Sequence, residues 1–292
     1  FITLPATVAD TIVQPNLFAV RCAESPPSWT NTKSMSFDGV DDFFSTADGG
    51  GLPTGSVANP CSFSFWIRNN SDAQGYVIPV SSNGATGGYP GYSSRFYLLT
   101  VPHQAVTPPL GGNRFYGGIE GDSSGNFSSS NMGYLTDDTW VHIVVTDLGF
   151  LQASPAAVTI YVDGVNVQEW EGEDYTTSRT QRFSIGGALN LYGTVNSLDC
   201  NIDEVGVWRS HVLSQTEVEN IFNGTPGTSG SGSPTDLENT AGVTAPDSYY
   251  RMGDLDDTDG SGGVVKDRIG SYDMTAGGGN GSGAPTSDAD VP

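Results

Sequence analysis

Residues 158–170, VTIYVDGVNVQEW, constrain the fold more than any other stretch. Two runs of alternating apolar and polar residues are separated by only Asp163 and Gly164. Asp and Gly both tolerate positive φ, which the two-residue turn of a tight antiparallel hairpin requires. A chain that turns this way is committed to antiparallel pairing there. The same period of two recurs in CSFSFWIR (61–68), SRFYLLTV (94–101), NRFYGGIE (113–120), WVHIVVTDL (140–148), RFSIGG (182–187) and NIDEVGVW (201–208). Glycines and prolines punctuate the runs throughout, so the architecture is antiparallel β.

One segment breaks the pattern. LSQTEVENIFNG (213–224) has Ser214 placed as N-cap and Glu217 three residues later, a capping box. Val218, Ile221 and Phe222 form one apolar stripe and Gly224 ends it, so a single short helix is expected on the surface of a sandwich. With 36% hydrophobic residues in 292, the chain has material for a core.

The charge balance excludes some partners. Against 33 Asp and Glu stand 11 Lys and Arg, a formal net charge of −22. Phosphate backbones and anionic membranes would be repelled, since nucleic-acid affinity depends on Lys and Arg displacing counterions. No nucleic acid is expected as a partner, and no apolar run reaches the roughly 18 residues that membrane insertion as a helix requires. Cys22, Cys61 and Cys200 lie far apart without C-x-x-C spacing, which excludes a thiolate zinc site and leaves one pair or three buried thiols open.

Composition divides the chain into four parts. Residues 1–33, with Pro5, Pro15, Pro26 and Pro27 and no period, form an extended N-terminal arm. Residues 34–224 hold most of the strands. Residues 225–246 open on TPGTSGSGSPTD, a flexible linker. Residues 247–292, containing DSYYRMGD and VVKDRIGSYDMTAGG, are too few and too glycine-rich to bury a core alone and are expected to complete the sandwich.

In order along the chain, MSFDGVDDFF, CSFSFWIR, DTWVHIVVT, VTIYVDGVNV, FSIGG and NIDEVGVWRSHVLSQTEVENIF resemble the LamG-like, concanavalin A-type jelly roll, a family related to pentraxins. The resemblance covers about residues 34–224 and implies an all-β fold. That fold is an antiparallel β-sandwich with one short helix, preceded here by the extended arm. In many relatives the aromatic-rich segment precedes the FDG strand; here it stands at the C-terminus, which reads as a permuted jelly roll with added edge strands.

What the family does is not fixed by its fold. The resemblance extends to LamG-like chains of marine phage structural proteins, which implies a non-enzymatic structural or adhesive protein on a virion or other particle surface. In that reading the arm docks on neighbouring subunits of an assembly and the sandwich offers loops to a cell-surface glycan. A secreted bacterial carbohydrate-binding module or adhesin is the alternative, and either places the chain on a virion surface or otherwise outside the cell. A glycoside hydrolase or lyase ranks third. Glu169, Glu171 and Glu173 alternate like the Glu-x-Asp-x-Glu of related glucanases, but Glu replaces the Asp and Gly172 interrupts the strand.

Two candidate sites follow. NGATGGYPGYSSRFY (83–97) is a long glycine-rich segment carrying Tyr89, Tyr92 and Arg95, and aromatic rings beside hydrogen-bonding groups suit a sugar. Packing of those tyrosines on the sandwich edge is the equal alternative. In SMSFDGVDDFF, the carboxylates of Asp38, Asp41 and Asp42, joined by Asp203 of the NIDEV strand, would suit a structural calcium. The competing expectation is that they cap backbone N–H groups in a turn. DLDDTDG (254–260) fails as an EF-hand, because its first and twelfth positions fall on Leu255 and Lys266.

Overall fold

The computed structural model describes residues 29–46, 60–70, 75–81, 94–101, 113–120, 127–135, 138–147, 158–170, 182–187, 198–224, 232–254, 263–277 and 285–292. The chain divides into a unit of Phe1–Thr30 and a unit of Asn31–Pro292, and among the described residues the strands and the helix fall in the second. Most of the expected arm, residues 1–28, therefore lies outside the described residues.

The first strands are β1 (Ser34–Asp38), β2 (Phe43–Ser45), β3 (Cys61–Asn69), β4 (Gly75–Ser81), β5 (Ser94–Val101), β6 (Asn113–Glu120) and β7 (Phe127–Leu135). They continue with β8 (Trp140–Asp147), β9 (Val158–Val162), β10 (Val165–Trp170), β11 (Arg182–Ile185) and β12 (Asp199–Trp208). Helix α1 (Gln215–Asn223) follows, then β13 (Ser248–Tyr250), β14 (Val264–Val265), β15 (Met274–Gly277) and β16 (Thr286–Asp288). The first sheet runs β10-β9-β8-β3-β12-β1-β16, with β13 also against β12. The second runs β14-β15-β2-β11-β4-β5-β6-β7.

The Asp163-Gly164 hairpin forms as its residues dictate. Val162 pairs with Val165, and Asp163 and Gly164 carry φ of 49° and 80°. The helix does the same: Ser214 accepts from the Glu217 amide, Glu217 returns to the Ser214 amide, and Gly224 closes the end at φ 68°.

Alternation sorts the first sheet into two faces. Phe63, Phe65 and Ile67 of β3, Val141, Ile143 and Val145 of β8, and Cys200, Ile202, Val205 and Val207 of β12 enter the core between the sheets. Phe44, Ile185 and Met274 meet them from the second sheet. On the other face, Val144 and Trp208 pack under Val218 and Ile221 of α1 and under Leu237. The first sheet is thus buried on both sides there, which is why its central strands read as nearly continuous apolar runs.

The C-terminal strands close onto early ones. β16 pairs with β1, β15 with β2, and β13 with β12. β12 is long enough that β1 lies along its first half, Asp199 to Ile202, and β13 along its second, Val205 to Val207. A register shift between Asp203 and Gly206 marks the junction.

Candidate functional site

The acid turn between β1 and β2 is the first candidate. Asp38, Asp41 and Asp42 each offer a carboxylate oxygen within 4.8 Å of the others. Asp41 and Asp42 are buried and Asp38 is exposed. The turn uses two of the carboxylates on its own backbone: Asp38 Oδ1 accepts from the Val40 amide at 2.8 Å, and Asp42 Oδ2 accepts from the Asp38 amide at 3.1 Å. Burial, and then the charges of Asp38 and Asp41, push the Asp42 carboxyl up from its ordinary range. Gly39, at φ 73°, fits because a Cβ there would lie 2.9 Å from the Asp199 backbone nitrogen.

Asp203 does not join this turn. Antiparallel pairing sets Asp38 opposite Asp199 and Met35 opposite Ile202. Asp203 therefore lies at the Ser34 end of β1, about 14 Å away at ~3.4 Å per residue. The acid that the fold brings beside the turn is Asp199, whose position depends on long-range register and has no local signal in the sequence.

Asp203 belongs instead to a buried network at the junction of β1 and β13. Its Oδ1 accepts from the Glu204 amide and its Oδ2 from Asn31 Nδ2, both at 2.8 Å. Glu204, at φ 50°, accepts from Arg251 Nε at 3.3 Å and from the Tyr249 hydroxyl. Arg251 Nη2 donates to Asp254 Oδ2 at 2.7 Å, and Asp254 accepts from the Thr32 amide at 3.0 Å. All four charged residues are at most 2% exposed. Arg251 pairs with Glu204 and Asp254, while Asp203 rests on Asn31 and a backbone amide, and burial dominates: it drives Asp203 well above its ordinary range, and it pushes Glu204 up to about 8 although Arg251 pulls the other way.

His142 sits on the outer face of β8, its Nε2 2.8 Å from Ser64 Oγ and its ring against Trp66 and Phe222 at 5.0 and 5.9 Å. Burial lowers its pKa to about 3. Its Nδ1 is buried with no hydrogen-bond partner, so no carboxylate orients the ring as a general base needs. Glu169 is on the edge strand β10, accepting from Asn166 at 2.6 Å; Glu171 and Glu173 lie outside the described residues.

The sugar candidates Tyr89 and Tyr92 also lie outside the described residues, whereas Arg95 is in β5. The backbone nonetheless fixes where that segment attaches. Residues 82–93 join β4 to β5 at the end of the second sheet where Ser81 meets Ser94 and Arg182. The acid turn is at the opposite end: Phe44 pairs with Ile185, three residues along β11 from Arg182. About 17 Å of strand, five residues at ~3.4 Å, separates Asp42 from the Arg182 row.

A family model for the concanavalin A-like lectin/glucanases superfamily matches residues 38–219. Among curated proteins nothing matches the chain. Among solved structures, a putative carbohydrate binding protein from Bacteroides ovatus is 18% identical with a TM-score of 0.53, covering 89% of this chain and 60% of its own. The native heptameric SAP-like pentraxin from Limulus polyphemus is 13% identical with a TM-score of 0.48, covering 86% of this chain and 96% of its own. The 18% identity of the Bacteroides protein speaks for the fold alone, and this chain covers 60% of that protein's length.

Proposed function

Because the chain belongs to the concanavalin A-like lectin/glucanase superfamily, we propose that it is a surface protein that binds glycan without cleaving it. The family match, which covers more than half of the chain, carries this reading. The Bacteroides protein of like fold, described as a putative carbohydrate binding protein, supports it. Against a hydrolase stands the chemistry of the described acids: Glu204 and Asp254 are tied up with Arg251, and Asp203 caps backbone and Asn31. None of the three forms an open carboxylate pair flanking a groove, as glycoside hydrolysis requires.

The finer form of the proposal is a structural and adhesive component of a particle, a virion decoration, fibre or tail protein. Its N-terminal arm would dock on a neighbouring subunit and its sandwich would face a cell-surface glycan. An excess of carboxylates favours solubility and discourages nonspecific adhesion at such a surface. A structural calcium belongs to the same proposal. The acid turn offers hard oxygen donors within 4.8 Å, and a cation there would relieve the repulsion among Asp38, Asp41 and Asp42.

Binding of the natively purified full chain to a glycan array, alongside an assay for new reducing ends on every glycan bound, tests the proposal. Binding without cleavage is expected. Cleavage of a bound glycan, or binding to none of them at millimolar concentration, would overturn it.

A further inference from the structure

We propose that the junction of β12, β13 and the residues just before β1 is a proton-operated clasp: one proton held by the Asp203–Glu204 pair keeps it closed, and loss of that proton opens it without unfolding the sandwich. The inference does not depend on the glycan-binding reading.

The balance of charges is the first support. Asp203, Glu204 and Asp254 stand with one guanidinium, Arg251, and none of the four residues is more than 2% exposed. Arg251 pairs with Glu204 and Asp254. Among the described residues Asp203 meets no cation and rests on Asn31 and a backbone amide. With every carboxyl ionised, the site would hold more negative than positive charge away from water, and a buried site relieves such an excess by keeping a proton. Other groups do not supply the missing charge. Tyr249 faces Glu204 from β13, and Asp267 accepts from the Tyr249 amide at 3.1 Å. His142 stands beyond Trp66 in the row of Asp203, and burial lowers its pKa to about 3, so it is neutral at higher pH.

Local geometry is the second. The Tyr249 hydroxyl donates to Glu204 Oε2. A hydroxyl accepts as well as donates, so this bond can reverse when Glu204 takes the proton and is kept in both states. The backbone on either side of the cluster is strained. Glu204 and Met252, neither of them glycine, stand at φ 50° and 49°. Left-handed backbone at such residues persists only where its surroundings hold it, and here the surroundings are the network itself. A change of charge in the network therefore acts on a segment that already favours another conformation.

Topology decides which part gives way. β12 is paired with β3 from Cys200 to Trp208 and with β1 from Asp199 to Ile202, so it is fixed on both sides. Residues 31–33 belong to no strand. They are tied down by Asn31 Nδ2 on Asp203 and by the Thr32 amide and hydroxyl on Asp254. β13 has only three residues. Lightly held segments open first, below the free energy of global unfolding. Asn31 and Thr32 link residues 1–30 to β1, so opening the clasp lengthens that link. The direction with pH follows from the proton. In the closed clasp Glu204 titrates at about 8, and once open to water it returns to its ordinary 4.5. Opening then releases a proton, so between those values the open population grows with pH, by up to about tenfold per unit, and it levels off above them.

The test is hydrogen–deuterium exchange of the full chain, read by mass spectrometry on the peptides that contain Thr32 and Arg251, from pH 5.5 to 8 and corrected for the intrinsic rate at each pH. These peptides are expected to exchange faster than those of β3 and β8 throughout, and their protection should fall by roughly fivefold to tenfold per pH unit. Glu204→Gln, which is neutral at every pH, should keep the protection and remove the slope. Asp203→Asn, which removes the charge beside Glu204, should lower the slope and carries the test if the first variant does not fold. Exchange of the clasp peptides only in step with β3 and β8 would mean that the opening is global and would overturn the proposal. So would a parent chain without a slope, or a slope that survives in both variants.

Discussion

The two sheets solve opposite problems with the same strand grammar. The first sheet is packed on both sides near α1 and carries most of the framework's acids, so it buries charge at the β1–β13 junction and spends its polar groups on itself. Asp203, Glu204, Arg251 and Asp254 satisfy one another and hold Asn31 and Thr32 where the chain enters β1. The second sheet meets the core with one face and carries three arginines and one acid among its strands. Polar groups placed where packing is complete serve the fold.

The sharpest way to break this contrast is to remove the cation of the buried network. Arg251→Ala would leave Glu204 and Asp254 buried without their partner, and a loss of about 3–5 kcal/mol is expected in chemical denaturation. A loss under 1 kcal/mol would mean that the network contributes little to holding the first sheet together.

Dependence on pH sharpens it next, because the two buried groups act in opposite directions. Glu204 is raised from 4.5 to about 8, so between those values the folded chain keeps a proton that the unfolded chain has lost. Its contribution to stability falls as pH rises through that window. His142 is lowered from 6.5 to about 3, so the unfolded chain takes the proton first and stability falls as pH drops below 6.5. Midpoints of urea unfolding from pH 4 to 9 should decline on both limbs, and Glu204→Gln should flatten the alkaline one. An unchanged alkaline limb in that variant would place the titrating group elsewhere.

A chelator probes the acid turn. If calcium is bound there, removing it should lower the melting temperature, and Asp41→Asn should abolish that response; no response in the parent chain leaves the turn as a backbone cap. Ser214→Ala, which deletes the capping box of α1, should cost about 1 kcal/mol in equilibrium unfolding.

What could be read from the chain was what is decided within a dozen residues. The Asp163-Gly164 turn, the Ser214 cap with its Glu217 partner, and the strands SRFYLLTV and NRFYGGIE match their observed bounds because turn chemistry, capping and period are local. Short strands such as β2, β14 and β16 had no such period to announce them, since two or three residues cannot show one.

The sequence by itself determined an antiparallel β-sandwich with one capped helix, an acidic surface and a carboxylate-rich turn. Only the tertiary structure decided which charges meet. It moved Asp203 from the Asp38 turn to Asn31 and the Glu204 amide, set Glu204 and Asp254 against Arg251, and set Asp199 beside Asp38. The physical reason is that strand register is fixed by the burial of a whole face at once. A shift of one residue exchanges every inward side chain for an outward one, and no local run of sequence records which long-range partner wins that competition.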